Sequence, residues 1–134
     1  MSGQTDPRHA GAAATSTIRV KNLRLRTFIG FNEDERTKRQ DVVINLGLDY
    51  DARRAARSDQ PADALDYKHI TKSIIALVED NRFLLLERLA QDILDLILAD
   101  PAVIEACVEV DKPHALRFAD SVSVTVQARR EQTG

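Results

Sequence analysis

The chain has 134 residues, 43% apolar and 30% charged, which is enough for one globular domain and too few for two ordinary ones. Its 19 basic and 21 acidic side chains are well mixed and leave a net charge of -2. That balance excludes the basic stripe of a general nucleic-acid binder, while leaving room for a local basic pocket that takes a phosphorylated small molecule. No window approaches the roughly 18 apolar residues of a membrane span, so no membrane partner is expected.

Met1 to Thr17 is rich in Ala, Gly, Ser and Thr and has no apolar h-region. It reads as a disordered tail rather than a secretory leader, which points to the cytoplasm. Order is expected from Ile18. In Ile18-Arg-Val-Lys-Asn-Leu-Arg-Leu-Arg26 apolar and polar residues alternate, but the apolar parity changes across Asn22. A period-2 element cannot change parity without a bulge or a break, so an irregularity is predicted there. Thr27 to Arg39 is polar apart from Phe28-Ile29-Gly30-Phe31 and reads as a loop. Asp41 to Asp51 alternates cleanly, with Val42, Ile44, Leu46, Leu48 and Tyr50 on one face. The two strands make a hairpin.

Ser58 to Asp63 is rich in turn residues and precedes a helix whose face carries Ile70, Ile74, Leu77 and Val78, with Asp80-Asn81 as its stop. A second helix is predicted from about Phe83 to Ala99, with Leu86, Leu89, Ile93 and Leu96 as its inner stripe and Pro101 beyond its end. Ile104, Ala106, Val108 and Val110 alternate next, then Val122, Val124 and Val126. Cys107, the single cysteine, cannot form an intrachain disulfide and reads as a buried, reduced, strand-borne thiol.

The order is therefore β-β-α-α-β-β: an α+β fold with a four-stranded antiparallel sheet and two helices on one face. Such a sheet leaves open edges, which proteins normally hide, so an oligomer is expected. The domain spans 18–128, with a short C-terminal tail over 129–134.

Four segments in this order resemble the dihydroneopterin aldolase/epimerase family. Arg24-Leu-Arg-Thr-Phe-Ile-Gly-Phe31 with Arg39-Gln-Asp-Val-Val-Ile-Asn45 is similar to its first hairpin, and Asp63-Ala-Leu-Asp-Tyr67 to the segment entering its first helix. Asn81-Arg-Phe-Leu-Leu-Leu-Glu-Arg88 resembles the start of its second helix, and Asp111-Lys-Pro-His-Ala-Leu-Arg117 its last hairpin. The wording is nearest to the dihydroneopterin triphosphate 2'-epimerase branch. The resemblance implies the tunnelling fold (T-fold), in which sheets of four subunits close a barrel. Two such rings stack into a homo-octamer with sites between subunits.

From the residues alone, Glu87 stands out because it interrupts Leu84-Leu-Leu86 and Leu89-Ala90, so its carboxylate is expected near apolar groups and needs strong donors. A helix-surface Glu paired with Arg88 or Gln91 is the plainer alternative. The resemblance makes Glu87 the anchor for the two parallel N–H donors of a pterin, with Leu86 and Leu65 also lining the substrate. It makes Lys112 the general acid/base, where the bare sequence shows a surface lysine. It brings Tyr67 to the site from an adjacent subunit as a catalytic residue, lying against the pterin and able to handle a proton, and it places a catalytic Glu four or five residues beyond the Ile-Gly pair. That count selects Glu35, with Glu33 as a substitute.

His114 and Arg117 would suit a triphosphate at the site mouth, or be plain loop residues. Arg26, Lys38, Arg39 and Lys68 are further possible phosphate contacts. His9, His69 and the lone Cys107 give no zinc spacing, which separates this chain from zinc-dependent relatives of the same fold. A 7,8-dihydropterin supplies its own electron sink through its C6=N5 imine, so neither metal nor organic cofactor is required. The implied reaction is retro-aldol cleavage with re-addition, which inverts C2'. Alternatives are aldolase chemistry giving 6-hydroxymethyl-7,8-dihydropterin and glycolaldehyde for folate synthesis, and a non-catalytic pterin-binding protein.

Overall fold

A computed structural model describes residues 15–131. Strands β1 (Ser16–Ile29) and β2 (Gln40–Tyr50) form the expected antiparallel hairpin. The parity change has the predicted cause: the register slips between Val20 and Leu23, and Asn22 adopts φ 54. Asn22 tolerates this left-handed geometry better than most residues. Its N–H donates to Asn45 Oδ1 at 2.9 Å, so the bulge leaves no orphan donor there. Beyond the bulge Leu25, Thr27 and Ile29 turn inward and are buried.

The loop expected over Thr27 to Arg39 is shorter than that. Strand β1 continues through Ile29, and helix α1 (Glu33–Thr37) fills much of the remainder. The Thr27 hydroxyl, buried on the core side, donates to the carbonyls of Val78 and Asn81 at 2.6 and 3.1 Å, which keeps the strand in place. Asn32 and Glu35 form a reciprocal capping box that nucleates α1.

Helix α2 (Arg53–Ser58) and a 3-10 turn over Pro61–Asp63 precede α3 (Tyr67–Glu79). Asp66 caps α3 by accepting from the His69 N–H, and Ile70, Ile74 and Val78 are buried as expected. Helix α4 (Leu86–Leu98) starts later than predicted, because Phe83 belongs to the two-residue strand β3 (Arg82–Phe83), parallel to the end of β1. Its buried stripe is Leu89, Ala90, Ile93, Leu94 and Ile97, with Leu86 and Leu96 at the margins. The helix is apolar over a broad arc, and the centre of that arc rather than its edge meets the sheet.

Strands β4 (Val103–Pro113) and β5 (Ser121–Arg129) complete a sheet of order β3-β1-β2-β4-β5, so the sheet has five strands rather than four. A slip beside Tyr50 pairs that residue with Val103 and Asp49 with Glu105. Ile104 is skipped, and Val103 takes the buried place expected for it. Helix α3 covers β1, and α4 covers β4 and β5. The core between them is aliphatic. The opposite face carries Arg19, Asp49, Glu105 and Gln127, and Cys107 lies among them, half-buried rather than buried.

β1 begins two residues before the expected Ile18, and β5 runs to Arg129. Residues 1–14 and 132–134 of the expected tails lie outside the described residues. Among the described residues, long strand edges without a partner run along β5 and along β1 ahead of Phe28. No helix among the described residues is long and apolar enough to cross a membrane.

Candidate functional site

At one end of the sheet, β1 ends, β2 begins and β4 ends. Here Lys112 Nζ donates to Glu35 Oε2 in an ion pair linking positions 77 residues apart. The two side chains are only 12% and 19% exposed, so the pair is partly withdrawn from water. The Lys112 ammonium holds the Glu35 carboxyl below its ordinary range. Burial opposes this, and the Asn32 N–H and the Gln40 side chain assist. Of the two glutamates that the sequence offers, Glu35 meets Lys112, whereas Glu33 is exposed at the start of α1.

Sequence reasoning did not single out the residues that place this carboxylate. Gly30 has φ 125, and a Cβ there would lie 2.2 Å from Glu35 Cδ. The missing side chain is the space the carboxylate occupies. Gln40 Nε2 donates to the Ile29 carbonyl at 2.6 Å, which fixes the turn on its other side. The spacing of Asn32 and Glu35 was the available signal, as a capping pattern.

Helix α4 is tied to the same end. Gly30 N–H donates to the Phe83 carbonyl at 2.9 Å, and β3 leads directly into Leu86 and Glu87. Glu87 lies in the first turn of α4, where the helix dipole favours an anion. It is exposed, not set among apolar groups as the sequence suggested. Its proposed partners are engaged elsewhere: Arg88 pairs with Asp92, and the Gln91 amide donates to Asp95. Leu84 and Leu85 beside it are 60% and 49% exposed, so the carboxylate flanks an open apolar surface.

His114 and Arg117 follow in the exposed β4–β5 loop. His114 takes φ 64 and its N–H donates to the Asp120 carbonyl, while the Arg117 guanidinium lies over the Phe118 ring. Arg26 pairs with Asp41, and Arg39 donates to backbone carbonyls of Arg26 and Glu79.

Tyr67 and Leu65 do not join this group. The C-terminal end of α3 is held beside Thr27 and Arg39, so Tyr67, at the other end, stands about 18 Å away along the helix. Tyr67 lines an open groove of about 580 Å³ with Ile18, Val20 and Ile75 as apolar walls, alongside Thr71 and Arg19, and with Lys68 and Lys72 at its rim. Leu65 is buried, its carbonyl accepting from the Tyr67 N–H at 2.9 Å. A single chain therefore gathers Glu35, Lys112, Glu87, Leu86, His114 and Arg117 at one end and leaves Tyr67 and Leu65 at the other. No cluster of metal-ligating side chains occurs among the described residues.

A half-buried amine held by a carboxylate, beside an open carboxylate with apolar flanks, suits proton transfer on a flat polar ligand. Comparison with known proteins gives this arrangement a context. The dihydroneopterin aldolase (FolB) family profile matches residues 18–127. A Pseudomonas aeruginosa protein named dihydroneopterin triphosphate 2'-epimerase is 58% identical over 84% of this chain and 92% of its own length. An Escherichia coli dihydroneopterin aldolase is 33% identical over 81% of this chain and 88% of its own. The crystal structure of E. coli dihydroneopterin aldolase in complex with neopterin superposes with a TM-score of 0.81 at 32% identity, covering 84% and 98% of the two chains.

Proposed function

Because the chain belongs to the dihydroneopterin aldolase family, we propose that it is a cytoplasmic epimerase that inverts C2' of the 7,8-dihydroneopterin triphosphate side chain, giving dihydromonapterin triphosphate. The observation that carries the reading is the half-buried Lys112 amine held against Glu35 at the end of the sheet where Glu87 is presented. The much higher identity to a relative named as the epimerase than to one named as the aldolase favours inversion over net cleavage.

In the proposed mechanism Glu87 and the backbone at Leu86 hold the pterin edge, so that the side chain is aligned with Lys112. Lys112, once its ammonium has given up a proton to water, takes the proton of the 2'-hydroxyl directly or through one water. The C2' oxygen becomes an aldehyde as the C1'–C2' bond breaks, and that electron pair moves into the C6=N5 imine, leaving an enamine. If the bound aldehyde rotates, C1' adds to its other face, the new alkoxide recovers a proton, and C2' is inverted. If C1' is protonated instead and the aldehyde departs, the product is 6-hydroxymethyl-7,8-dihydropterin. Retention of the phosphorylated fragment decides between the two. Glu35 keeps the amine in place, and no step needs a metal or organic cofactor.

The separation of Tyr67 from Lys112 within one chain supports a site completed by a second copy, Tyr67 and Leu65 coming from that neighbour. The two open strand edges offer the means, a barrel of four chains, and two stacked barrels make the homo-octamer. From the Lys112 side, the loop residues His114 and Arg117 add to the grip on the triphosphate.

The test is incubation with dihydroneopterin triphosphate and with dihydroneopterin, followed by chiral separation of the pterins. The expected result is 2'-inverted product in excess over hydroxymethyl-dihydropterin, abolished by Lys112→Met. Excess hydroxymethyl-dihydropterin from both substrates would assign the aldolase reaction instead. Turnover untouched by Lys112→Met would remove the mechanism altogether.

A further inference from the structure

We propose that Lys68 and Lys72, on the rim of the Tyr67 groove, bind the phosphate chain of the substrate from the neighbouring copy and so set its preference for a phosphorylated pterin. The inference rests on the reading above, in which Tyr67 faces a substrate held by another chain.

The groove has the right chemistry at the right spacing. Its floor is apolar, formed by Ile18, Val20 and Ile75, and no carboxylate lines it. Lys68 and Lys72 are exposed, and among the described residues neither forms an ion pair. One helical turn separates them, about 6 Å along the axis, so they form a row along one side of Tyr67 and Thr71. A molecule lying against Tyr67 would bring its tail alongside them.

The placement has a cost that packing does not explain. Lys68 lies in the first turn of α3, where the helix dipole disfavours a cation, and Lys72, four residues on, repels it. A polyanion laid across them removes both penalties. Arg19, the third cation that lines the groove, carries its guanidinium across Gly47 toward the opposite face of the sheet, away from Lys68 and Lys72.

The rival basic surfaces are less free. Around Phe28, the Arg82 and Arg39 guanidiniums stack on the ring while donating to the carbonyls of Arg36 and Glu79, and Arg26 is paired with Asp41. Arg117 lies over Phe118 on an exposed loop, where holding a phosphate would first require ordering the chain. Lys68 and Lys72 stand on a packed helix, with Ile70 and Ile74 buried beneath it.

The experiment compares wild type, the double variant Lys68→Gln/Lys72→Gln, the double variant Lys68→Arg/Lys72→Arg, and Arg117→Ala. Two quantities are measured. One is the ratio of kcat/KM for dihydroneopterin triphosphate to that for dihydroneopterin; the other is calorimetric binding of inorganic tripolyphosphate. In the Gln variant the ratio should fall by about 10- to 100-fold, with tripolyphosphate bound at least about tenfold more weakly. The Arg variant should retain most of both, since it keeps the charge. A ratio and an affinity within about twofold of wild type in the Gln variant would overturn the proposal, as would a loss seen only in Arg117→Ala. If wild type turned over no dihydropterin, the epimerase reading would fail on its own, and the tripolyphosphate titration would still decide the groove.

Discussion

The two ends of this sheet are built on different principles. At the Lys112 end every polar atom of the ion pair has an assigned neighbour: Glu35 meets Lys112, Asn32 and the space above Gly30. At the Tyr67 end Lys68 and Lys72 are exposed on the rim of a largely apolar groove, and among the described residues neither has an ion-pair partner. The first end is preorganised for proton transfer, since its geometry is fixed before a ligand arrives. The second is open and apolar with a cationic rim. The contrast teaches that one end is fixed by contacts within the chain while the other is left exposed; on the reading proposed above, the two are parts of one site shared between copies.

The largest effect should come from an experiment that splits the halves. Lys112→Met and Tyr67→Ala each remove one half, and each is expected to lose about 10²- to 10⁴-fold in kcat, the usual worth of a general acid or base. Mixed and allowed to exchange subunits, the two inactive proteins should regain a measurable fraction of wild-type turnover, because some interfaces then pair an intact Lys112 with an intact Tyr67. No recovery after proven subunit exchange would mean that the two ends do not meet.

A smaller effect is expected from Glu87→Gln. The change keeps the shape and removes the charge that two parallel N–H donors would share. Losing charge assistance costs about 1–2 kcal/mol, so pterin affinity should fall about 5- to 30-fold while the Lys112 end remains intact. Fluorescence titration with a pterin product reads this directly. An affinity equal to wild type would leave Glu87 as a favourably placed helix-surface charge and nothing more.

How far these ends were legible in the sequence depends on the range of the interactions that make them. Strand β2 was readable because strict alternation is a local signal, and the bulge at Asn22 was readable because a parity change has no other physical outlet. The position of Ile104 was not, because it depends on a slip against Tyr50 on another strand. Helix α1 was hidden in a polar stretch, although its capping residues stand three apart. Glu35 was found by counting from Gly30, yet why Gly30 must be glycine appears only when the carboxylate is seen where a Cβ would be. Lys68 was only one of several possible phosphate contacts in the sequence, and its groove with Tyr67 and Lys72 was not legible because it also needs Ile18 and Val20 from a distant strand.

Gly30→Ala sharpens the contrast, because it strikes the preorganised end by geometry alone. The backbone at φ 125 is strained for any side chain, at a cost of about 1–3 kcal/mol, and the new methyl would expel the Glu35 carboxylate. Thermal unfolding should therefore shift downward, and kcat should fall by more than pterin affinity, since Glu87 is linked to Gly30 only through the Phe83 carbonyl. An unchanged kcat would show that Glu35 reaches Lys112 by another route or is not needed there.

The smallest expected effect is the pH dependence of that same carboxylate. Its folded value is lowered, chiefly by the Lys112 ammonium, so the ionised form is favoured in the folded state. The stabilisation is then fully present above the ordinary glutamate value and is lost as pH falls through the lowered folded value. In Glu35→Gln the group no longer titrates, so the fall in stability between about pH 5 and pH 3 should be shallower than in wild type. Because both side chains keep some contact with water, the difference should stay within about 1 kcal/mol. Denaturant melts of both proteins across that range measure it. Parallel curves would mean that the pair contributes nothing to folding, and that the Lys112 end is held together by Gly30, Gln40 and the capping of α1 alone.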